Sequence, residues 1–235
     1  MYGPDLTYVH HRGFSDFARA AAPAIVALLR GAGIDRGVVT DLGCGSGILA
    51  SELVAHGYEV RGYDLSPEMI ALARREVPQA RFEVASLHDL ILPPSAAITA
   101  IGEPFTYATG GDRETTLRRL FERCAAALPA GGMLLFDVVE HVNGEAMSDR
   151  NWSAEGDDWL LAVNVSEDRE ARLLTRSLWI YRANGEHSVR TTEVHRAWTV
   201  GRQEVSGWLA EACFTVRFGG WPLPPRRLAI CATKS

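Results

Sequence analysis

The segment VVTDLGCGSGILA, residues 38–50, constrains the fold of this chain more than any other stretch. An apolar run over residues 38–42 leads directly into glycines at positions 43, 45 and 47, and a second apolar run begins at Ile48. Glycine adopts backbone conformations that other residues avoid, and it lets another group approach the main chain closely. A buried strand, a glycine-rich turn and a helix in this order are typical of a βα unit, which belongs to a parallel sheet covered by helices.

The alternation of strand and helix continues over the first 140 residues. We predict strands over residues 38–42, 58–63, 81–85, 96–102 and 132–139, and helices over residues 14–30, 48–56, 66–76 and 113–128. This alternation predicts a doubly wound α/β fold, in which ligands bind beyond the carboxyl ends of the strands. The segments expected to share that rim are Gly43–Gly47, Asp64, Ser86–Leu87, Gly102–Glu103 and Glu140–His141.

The periodicity changes after the fifth predicted strand. Between residues 159 and 199 it becomes strand-like, and the helix expected over 202–212 is followed by strands over 214–218 and 227–232. We therefore expect an N-terminal helical cap and ligand-binding core over residues 1–139. An antiparallel β insert between strands 5 and 6 would occupy residues 140–200, and residues 201–235 would complete a mostly parallel, seven-stranded core sheet.

The Asn184–Gly185 pair within this insert predicts a hairpin and its register. If these two residues are the central pair of a type I′ turn, each residue before them pairs with one after them. The predicted pairs are Arg176 with Glu193, Trp179 with Arg190, and Ile180 with Val189. Apolar residues would then lie on both faces of the hairpin, so we expect cover from the main domain on one side and from a partner subunit or loop on the other.

Composition excludes several classes of function. The chain has 24 basic and 29 acidic residues, a net charge of -5 that disfavours binding to nucleic-acid phosphates. The sequence has no apolar run long enough to span a membrane and no signal-like start, so we expect a cytoplasmic protein without a membrane partner. The single lysine, Lys234, lies next to the C-terminus, which argues against a Walker-type phosphate loop or a Schiff-base lysine.

The four cysteines do not suggest a metal site. They are widely separated along the chain and form no Cys-x-x-Cys pair: Cys44, Cys124, Cys213 and Cys231. We expect them to be buried small hydrophobic residues, and we expect no metal site in the protein.

The glycine spacing distinguishes two classes of ligand. A dinucleotide-binding loop would have its third glycine at position 48, which is Ile48. Asp41 would repel a pyrophosphate at the start of the following helix, whereas it would attract the cationic groups of an amino-acid sulfonium. Asp64, at the end of the second strand, is positioned to accept hydrogen bonds from ribose hydroxyls in either class.

Five segments together resemble the motifs of one enzyme family. VVTDLGCGSGILA, VRGYDLSPEMIALAR, FEVASLHDL, ITAIG and LPAGGMLLFDV are similar, in order and spacing, to the motifs of class I S-adenosylmethionine-dependent methyltransferases. The resemblance covers residues 37–139 and implies S-adenosylmethionine as the cofactor. The insert, with EHSVRTTEVHRAWT, is more loosely similar to the small-molecule branch that methylates sugar nitrogens. The Asn-Pro-Pro-Tyr signature of nucleic-acid and protein-glutamine methyltransferases is replaced here by IGEPFTYA.

The resemblance also implies roles for individual residues. Those expected to hold the methionine part are Asp41, Gly43, Cys44, Gly45 and Ala100, the last through its carbonyl. Those expected around the adenosine part are Asp64, Leu65, Met69, Ser86 and Leu87. In related enzymes the segment before the first long helix, here YVHHRGF, folds over the cofactor. Arg12 would then pair with the carboxylate of the cofactor, and Tyr8 would cover its methyl group.

The catalytic residues depend on the acceptor. A hydroxyl acceptor usually needs a general base, whereas a neutral amine or an acidic carboxyl group needs none. His141, after the fifth strand, is the first candidate for a base, and Glu103 and Tyr107, after the fourth strand, are candidates to contact the acceptor. Weaker candidates are His10, His11 and Trp221, and surface roles are expected for His187 and His195.

These observations predict an enzyme that moves a methyl group from S-adenosylmethionine to a nitrogen or oxygen atom of a small molecule by direct displacement. We expect no nucleic-acid partner, and a homodimer through the β insert is a further expectation. Two alternatives remain open at this stage. One is a catalytically silent S-adenosylmethionine-binding partner or sensor subunit, and the other is a methyltransferase with a macromolecular acceptor.

Overall fold

A computed structural model describes residues 2–108, 110–142, 150–185 and 187–235 of the chain. The helices within these residues are α1 Pro4–Gly13, α2 Ser15–Gly31, α3 Ile48–Ala55, α4 Pro67–Glu76, α5 Arg113–Ala127 and α6 Arg202–Glu211. The strands are β1 Val38–Leu42, β2 Glu59–Asp64, β3 Arg81–Val84, β4 Ala97–Ala100, β5 Met133–Glu140, β6 Arg150–Gly156, β7 Trp159–Asp168, β8 Leu173–Asn184, β9 His187–Val200, β10 Phe214–Phe218 and β11 Arg227–Lys234. The predicted core elements are all present, and their ends differ from the prediction by two residues or fewer.

The core is a seven-stranded sheet in the order β3-β2-β1-β4-β5-β11-β10. The first five of these strands are parallel, and β11 runs antiparallel to both β5 and β10. One apolar cluster packs α2, α3 and α4 on one face of the sheet, and a second packs α5 and α6 on the other face. The predicted doubly wound α/β fold is therefore confirmed.

Local signals set the helix starts that border the rim. Ser66 caps α4 by accepting a hydrogen bond from the Met69 amide at 3.2 Å, and Pro67 follows at the first helical position. Asp112 caps α5 by accepting from the Thr115 amide at 2.7 Å. None of the helices in the described part of the chain has the length and apolar character needed to cross a bilayer.

The cysteine prediction is correct for three of the four residues. Cys44, Cys124 and Cys231 are buried, whereas Cys213 is exposed. Cys213 lies between α6 and β10 in the left-handed region, at φ 62°, because the chain turns sharply there.

Strands β6 to β9 form the antiparallel insert, and β9 attaches it to the core. Thr199 and Val200 pair in parallel with Val139 and Glu140 at the end of β5, beyond the point where β4 stops. Ala197 forms an antiparallel bridge with Tyr107, in the loop after β4. The insert therefore rises from the carboxyl edge of the core sheet, where a doubly wound fold binds its ligand.

The predicted register of the β8–β9 hairpin is wrong by two residues. Arg176 lies opposite His195, and the pairs predicted for Trp179 and Ile180 are displaced in the same way. Asn184 is still paired, with His187, and Gly185, at φ 62°, follows Asn184, whereas residue 186 lies outside the described residues. The attachment of β9 to the core sets the register against the local preference of the Asn-Gly pair. A shift of two leaves every side chain on its predicted face.

The two faces of the insert differ in their cover. On the inner face Leu174, Leu178 and Ile180 are buried against α1, through Leu6 and Val9. On the outer face the exposed apolar residues are Leu160 at 36%, Tyr181 at 36% and Val194 at 55%. Cover of the inner face by the rest of the chain is as predicted, and cover of the outer face by a partner stays a prediction.

Substitution of Gly62 in β2 tests the packing beneath the rim. A Cβ atom at this position would lie 2.5 Å from the Phe82 ring and 2.9 Å from the Cys44 sulfur. We expect Gly62→Ala to lower the free energy of unfolding by about 1–3 kcal/mol, the usual cost of overpacking a core. Urea unfolding followed by circular dichroism measures this change.

Gly207→Ala is the matched control, because Gly207 lies inside α6 and nothing approaches its Cβ position within 4 Å. Alanine favours a helix interior over glycine, so this variant should be more stable by about 0.5–1 kcal/mol. A Gly62→Ala protein as stable as the wild type would contradict the close packing.

Candidate functional site

A cavity of about 320 Å³ lies at the carboxyl edge of the core sheet, between the strand ends, the N-terminal segment and β9. After β1 it is lined by four residues predicted for the cofactor, Asp41, Gly43, Cys44 and Gly45. After β2 and β3 it is lined by five more, Asp64, Leu65, Met69, Ser86 and Leu87. The structure therefore brings together nine of the eleven residues predicted for the cofactor.

The glycine loop requires glycine for two separate reasons. Gly43 and Gly45 have φ values of 69° and 53°, in the left-handed region that residues with a Cβ rarely adopt. A Cβ atom on Gly43 would also lie 2.5 Å from the ring of Pro104, in the loop after β4. The loop is thus held in a conformation that leaves its main chain facing the cavity.

Asp64 is held rigidly at the end of β2. Its Oδ2 accepts a hydrogen bond from the Gly45 amide at 3.0 Å, and its Oδ1 accepts from the Ser66 amide at 2.9 Å. Burial raises the pKa of this carboxyl, and the two amides oppose that rise. The carboxylate is therefore oriented between the glycine loop and the start of α4, beside the cavity.

Asp41 is a buried carboxyl group beside the cavity. Only 2% of it is exposed, and its Oδ1 accepts a hydrogen bond from the Thr99 hydroxyl at 2.7 Å. Burial raises the pKa of Asp41 to about 7, against the lowering effect of the Thr99 bond, and the negative charge of Asp64 adds to the rise. A cationic ligand group in the cavity would favour the ionised form of this carboxyl.

A second group of cavity-lining residues, which we call the acceptor end, comes from three distant parts of the chain. Tyr2 and His10 come from the N-terminal segment, Tyr107 follows β4, and His195 comes from β9. His195 Nε2 lies 2.7 Å from Glu193 Oε2, and its Nδ1 lies 3.2 Å from the Tyr107 hydroxyl. The Tyr2 ring lies 5.0 Å from the His195 ring, so the imidazole is enclosed by aromatic groups.

His10 contributes a neutral imidazole to this end of the cavity. Burial, with His11 and His195 nearby, lowers its pKa to about 4. Its Nδ1 is buried and has no hydrogen-bond partner among the described residues. A buried nitrogen of this kind is available to a ligand, since an unsatisfied polar atom is costly.

Two residues predicted to contact the cofactor lie elsewhere. Tyr8 donates a hydrogen bond to Asp158 at 2.8 Å, and its ring is covered by the guanidinium of Arg182 at 3.5 Å. Arg12 stacks on the same ring from 5.3 Å, and both residues face a groove along α1, α2 and α4 instead of the cavity. The helical geometry of α1 points these side chains away from the site. Ala100 is buried, and Ile101 lines the cavity next to it.

The other two residues predicted as catalytic also lie outside the cavity lining. Glu103 is 4% exposed and pairs with Arg176 and Arg227, whose charges lower its pKa against the effect of burial. His141 packs at the end of β5, where its amide donates to the Val200 carbonyl at 3.0 Å. Burial, with Arg172 and Arg169 nearby, lowers the pKa of His141.

The structure also locates two weaker candidates, His11 and Trp221, and His187, for which a surface role is predicted. His11 Nδ1 lies 3.0 Å from the hydroxyl of Ser46, which lines the cavity. Trp221 packs in the core cluster with α2, and His187 is exposed at the start of β9.

One signal for His195 is present in the sequence. Successive side chains of a strand alternate between faces, so His195 shares the inner face of β9 with Glu193 and with the buried Ala197. That alternation indicates an inward histidine, whereas a surface role had been expected. We find no comparable signal for Tyr2.

Known proteins share this fold and these motifs. Residues 39–132 match the family model described as a methyltransferase domain. A protein from Geobacillus sp. (strain WCH70), whose name describes it as a methyltransferase, is 29% identical over 195 residues, which cover 76% of this chain and 74% of that protein. The trans-aconitate 2-methyltransferase of Delftia acidovorans is 35% identical over 107 residues, 44% of this chain and 38% of its own.

A solved structure extends the likeness to the whole chain. The sugar N-methyltransferase KedS8 from Streptoalloteichus sp. has a TM-score of 0.82 to this protein, at 19% identity, over 100% of this chain and 96% of its own. The two proteins therefore share one fold, which includes the insert. Residues 39–132 therefore carry a methyltransferase domain, and the whole chain shares the fold of a sugar N-methyltransferase.

Proposed function

We propose that this enzyme transfers the methyl group of S-adenosylmethionine to an oxygen or nitrogen atom of a small molecule. The observation that carries the proposal is one cavity that is lined by two chemically distinct groups of residues. One group is the glycine loop with Asp64, and the other is Tyr2, Tyr107 and His195. A bound cofactor and an acceptor would thus share one enclosed space, as direct displacement requires.

The cofactor would occupy the end beside the glycine loop. Asp64 would accept hydrogen bonds from the ribose hydroxyls, and Ser86 and Leu87 would flank the adenine. Asp41 would attract the cationic groups of the methionine part, whose carboxylate would meet the amides at the start of α3. Bound there, S-adenosylmethionine supplies an electrophilic methyl group on a sulfonium.

The N-terminal segment supports a small acceptor over a macromolecular one. Ser66 donates a hydrogen bond to the Tyr2 carbonyl at 2.8 Å, and the Gly3 amide donates to Glu193 Oε1 at 2.9 Å. This segment is therefore attached to both the core and the insert, across the cavity. A volume of about 320 Å³ is within the range of small-molecule sites. The names of two similar proteins, a trans-aconitate 2-methyltransferase and a sugar N-methyltransferase, also indicate small-molecule acceptors.

Release of S-adenosylhomocysteine tests the proposal. The purified enzyme is incubated with S-adenosylmethionine and panels of small hydroxyl, amino and carboxyl compounds. We expect product with at least one small acceptor. Cofactor binding without turnover on any small molecule would favour the silent subunit, and turnover on proteins or nucleic acids alone would favour a macromolecular acceptor.

Asp64→Ala is expected to weaken S-adenosylmethionine binding by about 2–3 kcal/mol, because two charge-assisted hydrogen bonds to the ribose are lost. Isothermal titration calorimetry measures the dissociation constant, and circular dichroism checks the fold. Asp35→Ala, at an exposed position away from the cavity, is the control and should bind normally. An unchanged dissociation constant for the Asp64 variant would remove this residue from the cofactor site.

Cofactor affinity should depend on the ionisation of Asp41. With a pKa of about 7 in the free enzyme, this carboxyl is mostly neutral at pH 6 and mostly ionised at pH 8. A cationic ligand favours the ionised form, so binding below pH 7 releases a proton. The affinity contributed by Asp41 should therefore fall up to about tenfold for each pH unit below 7.

Calorimetry in buffers of different ionisation enthalpy measures the released proton. The amine of the cofactor titrates near pH 8, so Asp41→Asn is the control that isolates the contribution of the carboxyl. Identical pH dependence in the wild type and in this variant would contradict the assigned role.

A further inference from the structure

Three side chains at the acceptor end form a continuous chain of hydrogen bonds. Glu193 and His195 lie two residues apart on the inner face of β9, and the Glu193 Oε2 to His195 Nε2 distance is 2.7 Å. His195 Nδ1 lies 3.2 Å from the hydroxyl of Tyr107. His195 is 5% exposed and, like Tyr107, lines the cavity. This series of hydrogen bonds therefore runs from the half-buried carboxylate of Glu193 to the hydroxyl of Tyr107 at the cavity wall.

The chemistry of these groups sets the direction of the hydrogen bonds. An ionised carboxylate only accepts, so the proton of the neutral His195 ring resides on Nε2 and points to Glu193. Nδ1 then carries the lone pair, and we assign the Tyr107 proton to this nitrogen, 3.2 Å away, in preference to the Tyr2 hydroxyl, to which Tyr107 also donates at 3.4 Å. A carboxylate selects the tautomer of a catalytic histidine in the same way in hydrolase triads. Glu193 is itself oriented, since its Oε1 accepts from the Gly3 amide at 2.9 Å.

We propose that the acceptor is a hydroxyl compound, and that His195 removes the proton of that hydroxyl through Tyr107, with Glu193 as the positioning residue. This inference rests on the proposed function. The acceptor oxygen attacks the methyl carbon, so a C–O bond forms and the C–S bond breaks. The bonding electron pair goes to sulfur and yields S-adenosylhomocysteine. The hydroxyl proton passes to Tyr107 while the Tyr107 proton passes to His195, and the imidazolium releases it to water after the product leaves.

The phenols serve as relays in this scheme. Burial raises the pKa of Tyr107 well above its ordinary value, and it also raises the pKa of Tyr2, whose hydroxyl lies 3.4 Å from that of Tyr107. Both phenols therefore stay protonated near neutral pH. Within this series of hydrogen bonds, the His195 imidazole is therefore the group that takes up the proton.

The charges around this end favour a hydroxyl over an amine. Glu103 is paired with Arg176 and Arg227, and Glu193 is occupied by His195 and the Gly3 amide. The carboxylates closest to His195 are thus already paired. A neutral amine needs no base, because its lone pair attacks directly, whereas a hydroxyl acceptor usually needs one.

The groups facing His195 come from several elements. Arg176 lies opposite it on β8, Glu103 follows β4, and Tyr2 and His10 belong to the N-terminal segment. The charge of Arg176 is balanced by Glu103, and burial keeps His10 neutral. A general base acts only in its unprotonated form, so the methylation rate should fall as the pH falls.

Matched acceptor pairs test the proposal. The two members of each pair differ by a hydroxyl or an amino group on the same skeleton, such as 3-hydroxybenzoate with 3-aminobenzoate, catechol with 1,2-diaminobenzene, and glucose with glucosamine. S-adenosylhomocysteine release reports turnover, and calorimetry reports cofactor binding separately. We expect turnover on hydroxyl members, with the methyl group on oxygen by mass spectrometry. Methylation of nitrogen alone would overturn the inference while leaving the proposed function intact, and absence of cofactor binding would overturn the proposed function itself.

Variants of the relay give a second test. His195→Gln and Tyr107→Phe should lower turnover about 10²–10⁴-fold with the cofactor dissociation constant within about twofold, and the rate should lose its dependence on pH on the acid side. Glu193→Gln should reduce turnover while keeping an acid limb in the pH profile. His187→Gln, exposed on the same strand, is the matched control and should behave as the wild type. Normal turnover in His195→Gln would overturn the proposal.

A third measurement needs no acceptor. Nitrogen-15 NMR of the histidine side chains, assigned by comparison with His195→Gln, reports which ring nitrogen of His195 carries the proton. We expect the proton on Nε2 in the neutral form, and a change in the Nδ1 signal in Tyr107→Phe. A proton on Nδ1 would overturn the relay. If the cofactor binds but the acceptor panel gives no product, the position of this proton is the measurement that tests the relay.

Discussion

A buried ion-pair cluster around Glu103 holds together the parts of the molecule that form the site. Glu103 follows β4 in the left-handed conformation, at φ 64°, and its carboxylate pairs with Arg176 of β8 and Arg227 of β11. Arg227 also pairs with Asp137 of β5 at 2.6 Å. Loss of one member of such a cluster leaves a buried charge uncompensated, which typically costs about 3–5 kcal/mol. The position of the insert above the core therefore depends on these charges remaining paired.

The two ends of the cavity follow from this arrangement. The core contributes the glycine loop, Asp41 and Asp64, all of which belong to one βαβ unit and are oriented by local hydrogen bonds. The acceptor end has no such local origin. It forms where the N-terminal segment, the loop after β4 and strand β9 meet, and it exists because Ala197 bridges to Tyr107 and Thr199 continues the edge of β5.

Reasoning from the sequence was accurate where neighbouring residues determine geometry. Strand and helix order and the residues along the glycine loop depend on propensity and spacing, and the structure agrees with both. It failed for His141, which follows a strand at the expected rim but packs beside Val200, outside the cavity. Position after a strand restricts where a residue lies, but it does not determine which way the side chain points once another element pairs there.

The sequence by itself predicted the doubly wound core and the antiparallel insert, because the periodicity of each helix and strand is a local pattern. The expected cofactor class came from the resemblance of five segments to one family. Only the tertiary structure decided the register of β8 and β9, which the Asn184–Gly185 pair had suggested wrongly by two residues. The attachment of β9 to β5 outweighs the preference of the Asn-Gly pair for the two central positions of the turn. The same contact turns His195 toward Tyr107, 88 positions earlier in the chain, and no local pattern encodes a distance of that kind.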